Sequence, residues 1–520
     1  MTPRRRQQAD PRPSIPGHKA SGHPRSQPLG PKHDQVQPTR HNTGMRPVEI
    51  YPTNLDRLAS LLAPVRALRL GQAAERTRVM LAERTMWHIN STAKGGGVAE
   101  MLSALLGYVR GLGVDVQWLT LEADPEFFAI TKRLHNWAHG EAGDGGRVEI
   151  AQRRHYEAVL ASNLDSIAPL IHSDDVVVLH DPQTAGLVPG LQACGAKVVW
   201  RSHVGRDTSN EYTDRAWAFL RPYVEQAHGM VFSRKSFCPD WVAPDRLHFI
   251  SPSIDPFSPK ILDLEPERVT AVLVRSGLIA GRDPEGDFGF VRRDGTTGLV
   301  RRHNDLLLSG SPPPEDARLV AQVSRWDRLK DMPGVLHGFA DHLADLPDDA
   351  HLMLAGPAVD SVSDDPEEAE VFAECEQAWR SLSSPARRRI HLAQLPMDDP
   401  DENAHLTNAL QRHASVVVQK SLVESFGLTV TEVMWKSRPV IASRVGGIID
   451  QITDGQDGLL LPDPKDLDGF ARTLRYLLTQ QRLAAELGEA ARARAQDHYI
   501  GDRHLVAYAH LLETLVGTER

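Results

Sequence analysis

The feature that most constrains the fold is an alternation that begins near residue 80. Short apolar runs are each followed by a glycine-containing or polar turn and then by an amphipathic stretch of about 10–15 residues, which is typical of the strands and helices of a parallel α/β sheet. The first run, Thr85–Ile89, is predicted to be a buried strand. A helix is predicted after Gly95–Gly97. Its apolar face comprises Val98, Met101, Leu102, Leu105 and Val109.

A proline-rich segment, Ser251–Pro259, interrupts this alternation and is predicted to be a stiff, extended connector. The further strands predicted before it are Val114–Leu119, Asp175–Leu179, Ala196–Arg201 and Gly229–Ser233. The strands predicted after it are Arg318–Val323, Ala350–Ala355, Arg389–Leu392, Ser415–Gln419 and Pro439–Ser443. We therefore expect an α/β protein with two Rossmann-like, doubly wound lobes and a ligand cleft between the carboxyl ends of their strands.

A chain of 520 residues is too long for one core of ordinary size, and the connector gives the domain boundary. We assign residues 49–255 to an N-terminal lobe and residues 256–496 to a C-terminal lobe. Within the second lobe, residues 276–315 are rich in Gly, Arg, Asp and Pro, so a flexible surface insertion is predicted there. Residues 497–520 are predicted to form a helix that packs back on the N-terminal lobe.

The N-terminal tail, residues 1–48, differs in composition from the rest of the chain. It contains nine Lys or Arg, two Asp or Glu, nine prolines and no aromatic residue. Because so few bulky apolar groups cannot offset the entropy lost on ordering, the tail is predicted to be disordered. A solvated extension is favoured over a basic arm for a polyanion, and the sequence leaves open whether the chain starts at Met1 or at Met45.

Charge and cysteine content narrow the class of protein. The net charge of -9 and the isoelectric point near 6.2 disfavour nucleic acid and membrane surfaces as partners. The three cysteines form no CxxC pair, which argues against a disulfide framework or a structural zinc site. The chain has neither an apolar run of the roughly 20 residues that a bilayer span needs nor a signal-peptide pattern. A soluble, cytoplasmic protein is expected.

The glycine-rich turn in Asn90–Gly97 is the first candidate for ligand binding. Glycines let backbone amides approach an anion closely, and the start of the following helix adds a positive partial charge. The turn matches neither the GxGxxG nor the P-loop pattern, so the corresponding dinucleotide and NTPase interpretations lose support. A triple glycine alone is often only a tight turn.

Two basic residues of the second lobe, Arg325 and Lys330, lie between the predicted strand Arg318–Val323 and a helix with Pro333 near its start. Two fixed cations beside a helix N-terminus suit a diphosphate, and stabilising a departing diphosphate makes it a better leaving group. The alternative is that both are solvated loop charges.

Two glutamates, Glu424 and Glu432, lie on either side of the turn that follows the predicted strand Ser415–Gln419. Gly427 permits a sharp turn, so both carboxylates are expected near the carboxyl edge of the sheet. There, each can accept hydrogen bonds from a pair of sugar or ribose hydroxyls. The free amide of Thr429 at the helix start can bind phosphate oxygens.

Polar residues also follow two strands of the first lobe. His203 comes after Ala196–Arg201 and is a candidate contact for a polar ligand. His180–Gln183 follows Asp175–Leu179 and is a candidate sugar clamp. No third ligand stands at metal-like spacing, so metal catalysis is not expected.

These residues together resemble the retaining nucleotide-sugar glycosyltransferases of the GT-B fold, the glycogen-synthase-like or group 1 family. The matching features are Glu424 and Glu432 with seven residues between them, Ser324–Lys330, Gly95–Gly97 and Val445–Gly447. Within that family, the segments similar to the trehalose glycosyltransferring synthases are Trp87–Leu102, His180–Gln183, Ser253–Pro256 and Phe426–Glu432. The resemblance covers roughly residues 80–515.

The resemblance implies transfer of the glucosyl unit of a nucleoside-diphosphate glucose to C1 of free glucose, forming trehalose. It implies donor binding by the C-terminal lobe, in which Arg325 and Lys330 hold the diphosphate. Glu432 would hold the ribose, and Glu424 the donor sugar. His203 would lie near the reacting carbon. Further donor contacts are implied for Gly96, Gly97 and Thr429, and acceptor contacts in the N-terminal lobe for Asn90, Lys94, Asp181 and Gln183.

Retention without an evident carboxylate nucleophile suggests front-face substitution, in which the leaving diphosphate takes the acceptor's proton. We expect no cofactor and no essential metal. The expected partners are a nucleotide sugar and glucose or trehalose, and a homodimer stays possible.

Three alternatives remain open from the sequence. A retaining trehalose phosphorylase resembles the same motifs and uses phosphate in place of a nucleotide. A glycosyltransferase with another acceptor would share the fold. A non-catalytic nucleotide-sugar sensor is disfavoured, because a binding module need not retain all four of Arg325, Lys330, Glu424 and Glu432.

Overall fold

The computed structural model describes residues 44–93, 96–282, 286, 288–308, 311–359 and 367–517. Most of the tail and the predicted acceptor residue Lys94 lie outside these ranges. The tail prediction is wrong for its last residues. Met45 is buried, and the next three residues form an edge strand that pairs with the segment around Leu119. Pro47 is compatible with this position because an edge strand does not need every backbone N–H for pairing.

The strands are β1 (Arg46–Val48), β2 (Met86–Asn90), β3 (Val116–Thr120), β4 (Val176–His180), β5 (Lys197–Ser202), β6 (Gly229–Phe232), β7 (Leu247–Phe249), β8 (Gly289–Val291), β9 (Thr297–Leu299), β10 (Arg318–Val323), β11 (Ala350–Pro357), β12 (Ile390–Leu395), β13 (Val416–Gln419), β14 (Val440–Ser443) and β15 (Leu459–Leu461).

The helices of the described residues are α1 (Leu55–Ala59), α2 (Pro64–Met80), α3 (Gly97–Gly111), α4 (Pro125–Ala138), α5 (Ile150–Ile167), α6 (Asp181–Thr184), α7 (Val188–Ala193), α8 (Glu211–Val224), α9 (Pro266–Ser276), α10 (Met332–Asp341), α11 (Glu367–Ser381), α12 (Ser384–Arg389), α13 (Pro400–His413), α14 (Leu428–Trp435), α15 (Ile448–Gln451), α16 (Leu467–Thr479), α17 (Gln481–His498) and α18 (Gly501–Val516).

The N-terminal sheet has the strand order β1-β3-β2-β4-β5-β6-β7, and its strands are parallel except for β1. Every residue of β2 and β4 is buried, as expected for central strands covered by helices on both faces. In register, Asn90 pairs with Thr120, and His180 pairs with Arg201. The polar residues at the ends of these strands therefore lie at one edge of the sheet.

The C-terminal sheet has the order β12-β11-β10-β13-β14-β15 and is parallel throughout. Strand order reverses between β10 and β13, which is where open α/β sheets bind ligands. The loops after these two strands carry Arg325, Lys330 and Glu424. The predicted pair of doubly wound α/β lobes is confirmed.

The described residues of the segment 276–315 do not form the flexible surface insertion that the sequence suggests. They contain the β8–β9 hairpin, and Phe288, Phe290 and Val300 are buried in the hydrophobic core of the C-terminal lobe. The Phe290 ring stacks on the His405 ring of α13, with 5.2 Å between centroids. Arg301 also donates a 2.7 Å hydrogen bond to Glu402 of α13. The hairpin is held by packing and by ion pairs.

The end of the chain returns to the N-terminal lobe. The amide of Ile254 in the connector donates to the carbonyl of Tyr499 at 2.9 Å, so the two chain crossings run side by side. Beyond this point, α18 packs on α2, and its Leu511 and Leu512 join a core cluster with Val116 of β3. No helix in the described ranges has the length and apolar character needed to cross a membrane.

The hairpin's contribution to stability can be tested with Phe290→Ala. We expect this variant to lose about 3 kcal/mol, because a buried ring is removed from a packed site, and the loss should appear as a lower thermal unfolding midpoint by calorimetry. Val291→Ala is the matched control, since Val291 is the neighbouring, exposed residue of β8. Equal midpoints for the two variants would contradict the packed hairpin.

Candidate active site

The Glu424 loop joins β13 to α14 at the carboxyl edge of the C-terminal sheet. Gly427 has a φ of 83° and forms the turn into the helix. The loop after β14 packs directly against the Glu424 loop. A Cβ on Gly446 would lie 1.5 Å from the Glu424 carbonyl oxygen, and the Gly447 amide donates to the Ser425 carbonyl at 3.0 Å. Only a residue without a side chain allows this approach, and the contact fixes the loop.

Glu424 and Lys330, which the sequence places 94 positions apart, are in direct contact. Lys330 Nζ lies 2.6 Å from Glu424 Oε2, and the Ser421 hydroxyl donates to the same oxygen at 3.1 Å. The Lys330 carbonyl accepts a 2.7 Å hydrogen bond from the Gln322 amide of β10. The lysine is therefore held at both its backbone and its ammonium group.

Arg325 belongs to a second ion cluster beside this pair. Its guanidinium lies 3.2 Å from Asp327 and 3.5 Å from Glu368. Lys132 of α4, in the opposite lobe, lies 3.6 Å from Asp327. Burial opposes ionisation of Asp327, but the neighbouring cations Arg325, Lys132 and Lys330 hold its pKa well below the ordinary value. This carboxylate links the two lobes across the cleft.

Glu432 on α14 is buried and has two differently occupied oxygens. Oε1 accepts from Lys260 Nζ at 3.0 Å, whereas Oε2 has no hydrogen-bond partner among the described residues. Lys260 also lies 3.1 Å from Glu100 of α3. Burial lowers the pKa of Lys260, but the two carboxylates outweigh this effect and raise the pKa above its ordinary value. A buried carboxylate oxygen that lacks a hydrogen-bond partner is suited to a ligand hydroxyl.

The described part of the glycine-rich turn faces the start of α14. Gly96 precedes α3 with a φ of 81°, and a Cβ on Gly97 would lie 2.8 Å from Leu428 Cδ1. Thr429, the next residue of α14, is partly exposed. Three of the predicted donor contacts, Gly96, Gly97 and Thr429, are therefore brought to one place from opposite lobes.

The His203 loop also reaches the Glu424 loop. The Gly205 amide donates to Ser425 Oγ at 3.3 Å, and the same hydroxyl is 2.9 Å from His139 Nε2. The His203 amide donates to Asp181 Oδ1 at 2.7 Å. The loops after β4, β5 and β13 are thus tied together by hydrogen bonds.

Three histidines form a hydrogen-bonded row that ends at His203. His203 Nε2 lies 3.0 Å from His180 Nδ1, and His180 Nε2 lies 3.0 Å from His88 Nδ1. Burial is the main cause that lowers the pKa of all three, to about 3 for His88 and well below the ordinary value for His180 and His203. His203 is therefore a neutral imidazole at neutral pH.

The predicted acceptor-binding residues differ in whether their polar atoms are free to contact a ligand. Asn90 is buried, and its amide is used internally, by Trp118 Nε1 at 2.8 Å and the Thr92 carbonyl at 2.6 Å. Gln183 on α6 is partly exposed. Asp181 has a φ of 65°, and burial raises its pKa to about 7 in spite of the hydrogen bond from His203.

Several residues of this arrangement have no signal in the sequence. Lys260 follows the predicted connector directly, but nothing in its surroundings marks it as a bridge between lobes. Lys132 and His139 belong to α4 and its end, where no motif is present. Ser425 lies within the segment that carries the glutamates, without an assigned role. Within the described ranges, no three His, Cys, Asp or Glu side chains are grouped so that they could hold a metal ion.

The raised pKa of Asp181 predicts that the free energy of unfolding decreases as the pH rises. The folded state binds this proton more tightly than the unfolded state, so the associated stability is present at pH 4 and is lost as the pH rises through about 7. Asp181→Asn keeps the acceptor for the His203 amide but carries no charge. We expect its unfolding midpoint to match the wild type at pH 4 and to exceed it by several degrees at pH 8, by calorimetry. A constant difference between the two proteins would contradict the shift.

The chain is similar to proteins of known activity. Residues 88–239 match the family model described as the N-terminal domain of trehalose synthase, and residues 307–494 match the group 1 glycosyl transferases. A trehalose synthase from Thermococcus litoralis is 30% identical over 84% of this chain and 91% of its own length. A trehalose phosphorylase from Pleurotus pulmonarius is 26% identical, with 78% of this chain and 54% of its own length covered.

Solved structures agree on the fold. Trehalose-6-phosphate synthase OtsA superposes with a TM-score of 0.61 at 13% identity, covering 83% of this chain and 99% of its own. Sucrose-phosphate synthase from Thermosynechococcus elongatus gives a TM-score of 0.56 at 16% identity, covering 84% and 100%. These are glycosyltransferases of the GT-B fold, with two Rossmann-like lobes. With this fold, and with 30% identity to a trehalose synthase over 84% of its length, the chain belongs to the trehalose synthase family of group 1 glycosyltransferases.

Proposed function

We propose that the protein is a retaining trehalose synthase that transfers glucose from a nucleoside-diphosphate glucose to C1 of free glucose. The observation that carries this proposal is that Oε2 of Glu432 on α14, a residue only 3% exposed, has no hydrogen-bond partner among the described residues. A ribose hydroxyl can donate to that oxygen. Inorganic phosphate, the alternative co-substrate, carries no ribose, so a phosphate bound at the cations of the cleft would leave this oxygen without a partner.

Donor binding follows from the cations and glycines at the cleft. Lys330 and Arg325 neutralise the diphosphate, and the amides at the start of α14 offer it hydrogen bonds. Gly97 leaves room between the lobes because any side chain there would meet Leu428. The diphosphate thus lies between the glycine-rich turn and α14, with its ribose directed towards Glu432.

Glu424 binds hydroxyls of the transferred glucose in this proposal. Its contact with Lys330 at 2.6 Å brings the sugar-binding carboxylate and the diphosphate-binding ammonium together, as they must be when they serve adjacent groups of one donor. Gly446 fixes the backbone of Glu424. A preorganised pair of this kind stabilises charge at the leaving group without reorganising during the reaction.

The transfer proceeds on one face of the sugar. The bond between C1 of glucose and the diphosphate oxygen breaks, and the acceptor hydroxyl forms the new bond from the same side. The acceptor's proton passes to the leaving diphosphate oxygen. His203, a neutral imidazole, adds no positive charge near C1. Asp181 and Gln183, at the carboxyl edge of the N-terminal sheet, bind the acceptor glucose.

Phosphorolysis is the second candidate, since trehalose phosphorylases are among the relatives. Product analysis separates the two. The protein is incubated with glucose and UDP-, ADP- or GDP-glucose, and we expect trehalose and a nucleoside diphosphate. Turnover only with trehalose plus phosphate, releasing glucose 1-phosphate, would refute the synthase proposal, and a disaccharide other than trehalose would indicate another acceptor.

The Lys330–Glu424 pair can be tested by Lys330→Ala and Glu424→Ala. We expect each to lower kcat at least tenfold, the scale of a lost transition-state interaction. Arg328→Ala is the matched control, because Arg328 lies in the same loop but pairs with Glu370 and Glu374 on α11. The kcat of each variant is measured by steady-state kinetics, and its folding is checked by circular dichroism. Near-normal rates in both variants would remove the pair from the mechanism.

The ribose contact can be tested by Glu432→Gln. We expect the KM for the nucleotide sugar to rise at least tenfold, because hydrogen bonds to a charged acceptor contribute about 1.5–3 kcal/mol. Glu100→Gln is the matched control, since Glu100 contacts the same Lys260 but lies on α3. If both variants raise KM equally, the effect comes from the lost ion pair with Lys260 and not from ribose.

A further inference from the structure

Helix α4 of the N-terminal lobe contacts two loops of the C-terminal lobe. Its Phe127, Ile130 and Leu134 are buried in the hydrophobic core of its own lobe. Lys132 and His139, which stand about two helical turns apart, contact the C-terminal lobe instead. The helix is therefore anchored in one lobe through one face and meets the other lobe through the opposite face.

Lys132 shares one carboxylate oxygen with a cation of the other lobe. Its Nζ lies 3.6 Å from Asp327 Oδ2 and 3.2 Å from Glu367 Oε2. The same oxygen of Asp327 lies 3.2 Å from Nη2 of Arg325. Asp327 is buried, so water screens its charge little and both cations interact with it. A change in the contact between Arg325 and Asp327 therefore changes the attraction that acts on Lys132.

His139 makes the second contact of α4, without a charged group. Its Nδ1 lies 3.1 Å from the His135 carbonyl, which can only accept, so Nδ1 donates and Nε2 is left as an acceptor. Burial lowers the pKa of His139, which keeps the ring neutral at neutral pH. The Ser425 hydroxyl, 2.9 Å away, therefore donates to Nε2. Of the two contacts, the one made by Lys132 is the one that responds to charge in the cleft.

We propose that Lys132 is a positioning residue that couples donor binding to closure of the two lobes. This inference rests on the proposed function, in which Arg325 binds the donor diphosphate. A diphosphate that pairs with Arg325 leaves the charge of Asp327 less compensated, and it adds negative charge of its own on the C-terminal side. Both effects strengthen the attraction between Lys132 and the C-terminal lobe. The lobes are therefore held together more strongly over a filled donor site than over an empty one.

Closure that depends on the donor gives the reaction an order. The proposed acceptor residues Asp181 and Gln183 belong to the N-terminal lobe, so the acceptor meets the donor sugar only when the lobes are closed. A closed cleft also keeps water away from the reacting carbon. Without Lys132, the donor still binds to the C-terminal lobe, but its sugar is exposed to water for longer. We expect transfer to become slower and hydrolysis of the donor to increase relative to transfer.

Lobe closure is measured on the full chain by small-angle X-ray scattering. Calorimetric titration with UDP, ADP and GDP first identifies a nucleotide that the wild type binds, and scattering is then recorded without it and at saturation. We expect the radius of gyration to fall in the wild type, to stay constant in Lys132→Met and to fall again in Lys132→Arg. Arg133→Met is the matched control and should contract like the wild type, because Arg133 is the next residue of α4 and pairs with Asp144 of its own lobe.

Asp327→Asn separates the coupling from a general loss of structure. The amide oxygen keeps the acceptor for the Leu329 N–H, but the charge that Arg325 and Lys132 share is removed. We expect neither Asp327→Asn nor Lys132→Met to contract. Asp327→Asn should nevertheless bind the nucleotide about tenfold more tightly than Lys132→Met, because Arg325 no longer has to exchange a carboxylate for the diphosphate. Contraction of Asp327→Asn to the extent of the wild type would contradict the inference.

Product analysis completes the test. With a 13C-labelled glucosyl donor and unlabelled glucose, the ratio of labelled free glucose to labelled trehalose should be about tenfold higher for Lys132→Met than for the wild type. If the wild type binds none of the three nucleotides, the proposed function is refuted and the inference with it. If the wild type binds a nucleotide without contracting, or if Lys132→Met contracts equally, only the inference is overturned.

Discussion

The partly buried side chain of Lys260 connects the parts of the molecule on which the rest of the structure depends. It follows the connector directly and contacts Glu100 of α3 at 3.1 Å and Glu432 of α14 at 3.0 Å. One side chain thus joins the connector, the helix that begins at the glycine-rich turn and the helix that begins at the Glu424 loop. Because Glu432 is buried, removing its cation would leave a buried carboxylate without a counter-ion. The position of Glu432 and the register of the two lobes are therefore coupled.

Further contacts across the cleft are made by single side chains of loops and helices. Lys132 lies 3.6 Å from Asp327, Ser425 bonds to both Gly205 and His139, and Arg234 lies 2.6 Å from Asp450. These contacts are polar, and each is made by few atoms. Polar contacts between lobes can be replaced by hydrogen bonds to water with little change in free energy. An interface of this type can therefore open for a ligand and close again around it.

Much of the fold is predictable from the sequence, because central parallel strands are continuous apolar runs. Every predicted strand is present, and Arg318–Val323 matches β10 at both ends. Five strands of the described residues were missed, and each has only three residues, too short for a pattern. Of these, β1, β7 and β15 lie at sheet edges, and β8 and β9 form a separate hairpin. The Lys330–Glu424 contact follows from adjacent parallel strands. Lys260 and His139 could not be predicted, because their roles arise only when distant segments meet.

The charge of the cleft explains why few cations suffice there. Arg325 pairs with Asp327, Lys330 with Glu424, and Lys260 with Glu432, so each cation already has an acidic partner. In the proposed function, an entering diphosphate competes with these carboxylates, and its binding free energy is the difference between two sets of ion pairs. A cleft with net positive charge would attract any polyanion. An exchange of ion pairs favours binding only of a ligand that also donates hydroxyl hydrogen bonds to the displaced carboxylates. A nucleotide sugar has both groups in one molecule.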